Sequence, residues 1–72
     1  MKNTGNNVWT TYWFAINDEN SNLCGEEFFT ELQNADKNAH IAYAQSIFPG
    51  EILTCYGRLS ETEAEAMGLD TY

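Results

Sequence analysis

Residues 25–35 read GEEFFTELQNA, and two different folds follow from them according to whether the segment is coiled or extended. As a helix, Phe28, Leu32 and Ala35 fall at i, i+4 and i+7, and Glu and Leu are good helix formers. As a strand, Phe28, Thr30 and Leu32 share one face, with Phe29, Glu31 and Gln33 on the other. The preceding segment favours the strand. VWTTYWFAIN, residues 8–17, is dense in β-branched and aromatic side chains and reads as a strand. A lone strand must pair with something. After the turn formers DENSN at 18–22, a hairpin partner over residues 26–33 is the nearest solution.

Alternation along residues 8–17 puts Val8, Thr10, Tyr12, Phe14 and Ile16 on one face and Trp9, Thr11, Trp13 and Ala15 on the other. Both faces are largely apolar. That suits a central strand covered on both sides, or one covered on one side and used for docking on the other.

The rest of the chain follows in order. Asp36 is placed to cap a helix over KNAHIAYAQSIF, residues 37–48, which Pro49 and Gly50 end. Its apolar stripe reads as Ala39, Ala42, Tyr43, Ser46 and Ile47, widened by Ile41, Ala44 and Phe48. EILTCYGRL, residues 51–59, reads as a third strand with a bulge at Gly57. SETE, residues 60–63, is a capping box that opens a short helix, Glu61 to Met67, stopped by Gly68. The predicted class is α+β with the order β-β-α-β-α. Strand directions then give a three-stranded antiparallel sheet of order 2-1-3. One helix packs on one face, and a short C-terminal helix follows. Residues 1–7 read as a disordered tail, and 8–72 as a single domain.

One long helix covers only one face of such a sheet. The inner set is expected to be Tyr12, Phe14, Ile16, Phe28 and Leu32 against Ala42, Ile47 and Phe48. The opposite face then presents Trp9, Trp13 and Phe29, bordered by Glu27 and Glu31. A bare aromatic patch of this kind marks an interaction site, and Trp is favoured at binding hot spots. Two alternatives stand beside this one. The C-terminal helix folds over the patch through Ala64, Met67, Leu69 and Tyr72, or a second copy covers it as a weak homodimer.

Charge narrows the partners. Eleven acids against three Lys and Arg give a formal net charge of -8 over 72 residues. Such a surface repels nucleic-acid phosphates and anionic membranes and attracts a basic protein surface. No apolar run approaches the roughly 20 residues that span a bilayer, and MKNTGNN lacks the apolar core of a signal peptide. Cys24 and Cys55 do not make a disulfide framework, so a cytoplasmic protein with free thiols is expected.

Chemistry is sparsely represented. His40, Cys24 and Cys55 are too few, and too widely spaced, for a structural zinc site. No phosphate-binding loop is present, and nothing in the sequence brings His40 to a cysteine for thiol catalysis. The expectation is a non-enzymatic protein-binding module without cofactor. An alternative is an inhibitor whose acids Glu26, Glu27, Glu31, Glu61, Glu63, Glu65 and Asp70 imitate a phosphate backbone. The tail FPGEILTCYGRLSETEAEAMGLDTY, residues 48–72, after a ββα start, resembles small accessory proteins of bacterial mobile elements, phage or conjugative. The resemblance is one of pattern over residues 8–72 and assigns no residue a role. It implies kinship with compact acidic proteins, some of which block restriction or CRISPR machinery.

Overall fold

The computed structural model describes residues 8–72; the tail expected over residues 1–7 lies outside them. The protein is α+β. Strand β1 (Trp9–Ile16) is followed by β2 (Glu27–Gln33), α1 (Lys37–Ile47), β3 (Leu53–Leu59), α2 (Glu61–Met67) and β4 (Asp70–Thr71). The ambiguous segment is therefore extended. It pairs antiparallel with β1, Trp13 opposite Phe29 and Phe14 opposite Phe28. β3 pairs antiparallel with the other edge of β1. The most apolar strand lies between two neighbours.

The sheet is not the expected three-stranded antiparallel one. It has four strands in the order β3-β1-β2-β4, and β4 runs parallel to β2. Gly68 ends α2 in the left-handed region (φ 65), a conformation glycine adopts without Cβ strain. The turn sends the last residues along the free edge of β2. There Tyr72 N–H donates to Phe29 O at 2.9 Å, and Glu31 N–H donates to Tyr72 O at 3.0 Å. The parallel pairing satisfies backbone groups that an open edge would leave to solvent.

Paired residues share a face, so the register assigns every side chain of the sheet. Thr10, Tyr12, Phe14 and Ile16 join Phe28 and Thr30 beneath α1. Phe14, Ile16, Phe28 and Ala44 form the core, with Tyr12, Phe48, Leu53 and Cys55 packed against it. Phe14 stacks on Phe28 with ring centroids 5.5 Å apart, and Phe48 and Tyr72 close on Phe28 at 4.8 and 5.6 Å. Few residues thus supply much apolar area, as a chain of this length requires.

Asp36 caps α1 by accepting from Ala39 N–H at 2.9 Å. At the other end, the Gln45 side chain donates to the carbonyls of Phe48 and Glu51 at 3.0 and 2.9 Å. The buried stripe of α1 differs from the expected one. His40 and Ala44 are the buried residues, Tyr43 and Ile47 are half-buried, and Ala39, Ala42 and Ser46 face outward. The helix is rotated because His40 meets two inward-pointing threonines. Its Nε2 lies 2.6 Å from Thr10 Oγ1 and its Nδ1 2.7 Å from Thr30 Oγ1. Thr10 Oγ1 in turn donates to Ala35 O at 3.1 Å. With that hydrogen committed, Nε2–H donates to Thr10 and Nδ1 accepts from Thr30. A neutral imidazole satisfies the whole buried network.

Candidate functional site: a cleft beside the second face of the sheet

The face turned away from α1 carries Trp9, Thr11, Trp13 and Ala15 from β1, and Glu27, Phe29, Glu31 and Gln33 from β2. The bare aromatic patch expected here is not what the fold presents. Phe29 is only 1 % exposed. The α2–β4 return passes over it, and Ala64, Leu69 and Thr71 share a 320 Å³ cleft with Phe29 and Thr11. Phe29 is thus a packing residue, buried from any partner that meets this fold intact.

Trp13 is half-buried. Between Trp13 and Phe14 the β1–β3 register slips, so that Trp13 faces Gly57 and Phe14 faces Cys55. Tyr56 is the extra residue of this bulge, and Gly57 follows at φ 133, where a side chain would be strained. The slip brings the Tyr56 ring against Trp13, with centroids 4.5 Å apart. The Trp13 Nε1 is buried without a hydrogen-bond partner, a cost that ring packing has to offset.

Trp9 has no such cover and is 57 % exposed. It stands at a cleft of about 570 Å³, lined by Trp9, Thr11 and Glu31 from the sheet and by Leu59, Ser60 and Glu61 from the β3–α2 junction. Arg58 borders the same cleft. Because Arg58 pairs with Tyr12, its side chain belongs to the α1 side of the sheet. Thr11, Glu31 and Glu61 also line the cleft beneath α2, so the two hollows are neighbours. Glu31 is diagonal to Trp9 across the β1–β2 ladder, since Trp9 pairs with Gln33 and Thr11 with Glu31.

The β3–α2 wall is fixed by its capping box. Glu63 N–H donates to Ser60 Oγ at 3.2 Å, and Ser60 N–H donates to Glu63 Oε1 at 3.0 Å. Those bonds to Ser60 hold the Glu63 carboxyl below its ordinary pKa. Glu61 and Glu65 are exposed on the same helix, and Glu61 sits in its first turn, where the helix dipole favours a negative charge.

Of the residues singled out from sequence, Trp9 and Glu31 meet at the cleft. Glu27 is exposed on β2 but does not line it. Trp13 and Phe29 serve packing. Thr11, Leu59 and Ser60 carried no sequence signal for the cleft. Glu61 did, as a carboxylate placed by the capping box just after a strand.

The remaining reactive side chains are dispersed: His40 is buried beneath α1, Cys55 packs against the core and Cys24 is exposed in the β1–β2 connection. Among the described residues, no group of His, Cys, Asp or Glu could hold a metal ion, and no helix is long and apolar enough to cross a membrane. No family model matches the chain, and neither the curated proteins nor the solved structures give a match.

Proposed function

We propose that this chain is a non-enzymatic binding module that docks a partner protein through the open end of its second sheet face, with Trp9 as the anchor. The observation that carries the reading is the exposure of Trp9 at the mouth of a preformed cleft, while every other aromatic on that sheet face contributed by β1 and β2 is at least half covered. A large rigid ring beside a concavity is the usual form of an interface hot spot. The acids favour a basic partner surface, given the net charge of -8.

The test is partner capture by the full chain. Trp9→Ala is expected to abolish capture while changing folding stability by less than about 1 kcal/mol, because the side chain is mostly in water. Ile52→Ala, at an equally exposed position (61 %), should capture normally. Retained capture by Trp9→Ala would remove the reading. The phosphate-mimic alternative rests on the exposed carboxylates rather than on Trp9. It expects capture to survive Trp9→Ala and to collapse between about 50 and 200 mM salt.

A further inference from the structure

We infer that the Trp9 cleft accepts an arginine side chain of the partner. The inference rests on the docking reading above and specifies what enters the cleft. Three features support it. The exposed indole offers a π-face to a planar cation. Glu31 places a carboxylate on the sheet floor, diagonal to that indole. Glu61, at the start of α2, lines the same cleft with a second. Arg58, the one basic residue at the cleft among the described residues, is rooted on the α1 side of the sheet by its pairing with Tyr12. Among the described residues the lining therefore sets two carboxylates against one guanidinium that starts from the other face of the sheet.

A guanidinium suits this lining better than an ammonium. It stacks on an aromatic face while its fork donates to carboxylates in plane, and it is weakly hydrated, so it enters a half-enclosed site at less cost. A neutral apolar side chain could stack on Trp9 but would leave both carboxylates unused. An acidic one would be repelled.

The experiment is an NMR titration of the full chain with three capped tripeptides, glycine flanking arginine, citrulline or leucine. Citrulline keeps the shape of arginine without its charge. The arginine peptide is expected to bind about tenfold more tightly than the citrulline peptide, the size of one charge-assisted hydrogen bond. Its shift changes should centre on the Trp9 indole, Thr11, Glu31 and Glu61. Glu31→Gln should weaken arginine binding by a similar factor. Glu19→Gln removes the same charge in the β1–β2 connection, outside the cleft, and should leave binding unchanged.

Equal binding of arginine and citrulline, equal effects of the two Glu→Gln changes, or no saturable binding of the arginine peptide would overturn the inference. Leucine or citrulline peptides saturating at Trp9 as tightly as arginine would overturn it while leaving the docking reading intact. Loss of the docking reading itself is read separately, from Trp9→Ala in partner capture.

Discussion

Phe29→Ala is expected to destabilise the protein by about 3–5 kcal/mol, as much as Phe28→Ala, although the two rings point to opposite faces of the sheet. Each ring is almost fully buried, at 1 % and 2 % exposure. Phe28 lies under α1 among Phe14, Phe48 and Tyr72, where a large cost is unsurprising. Phe29 lies on the face that would be bare if α1 were the only cover. Its truncation would then cost little, as for a ring already in water.

The α2–β4 return changes that. Removing the ring leaves a void under Ala64 and Leu69 and weakens the packing that holds the chain end to β2. A domain of this length has a total stability of about 4–11 kcal/mol, so either variant should lose from about a quarter to all of it. Urea denaturation followed by far-UV circular dichroism measures the difference. A cost for Phe29→Ala under about 1 kcal/mol would show that the second face is open.

Stability is also expected to fall as pH drops below about 6.5, through His40. Burial lowers the His40 pKa from its ordinary value. The nearby Asp36 carboxylate partly opposes the shift, and Arg58 reinforces it. The Tyr12 ring packs at a tilt against the imidazole, with centroids 4.4 Å apart. Protonating Nδ1 would direct an N–H at the Thr30 hydroxyl that now donates to it, so the network favours the neutral ring.

The sign follows from linkage. Above the unfolded pKa of about 6.5 both states are neutral and the full stability is present. As pH falls through that value the unfolded chain takes up a proton that the folded chain refuses. Stability then declines by at most about 1.4 kcal/mol per pH unit, and levels off below the lower folded pKa. His40 is the sole histidine, so denaturation midpoints between pH 8 and 5.5 report on it. His40→Gln should start less stable and lose the pH dependence in this window. A wild-type midpoint that stays flat from pH 8 to 5.5 would mean that the imidazole is not held neutral.

The difference between the expected and observed architectures lies in a few residues. The extended state of Glu27–Gln33 was legible because β1 needed a partner, not because of any local propensity in EFFTELQ. The strand β4 was not legible. Two residues carry no periodicity, and their placement depends on the direction in which Gly68 turns the chain.

The α1 stripe expected from apolar spacing omits His40, which with Ala44 is what the helix buries. Thr10 and Thr30, both on inward faces, held the missing signal: buried hydroxyls on adjacent strands require a polar partner from the covering helix. Trp9 is exposed, but one wall of the cleft beside it comes from the β3–α2 junction. Sequence alternation on β1 and β2 cannot see that wall.

The second sheet face is divided, open at Trp9 and closed at Phe29. Solvent paramagnetic relaxation with a neutral gadolinium chelate measures both rings in one sample. The account predicts strong broadening of the Trp9 indole protons and near-complete protection of the Phe29 ring. Equal broadening of the two rings would contradict it, and so would a protected Trp9.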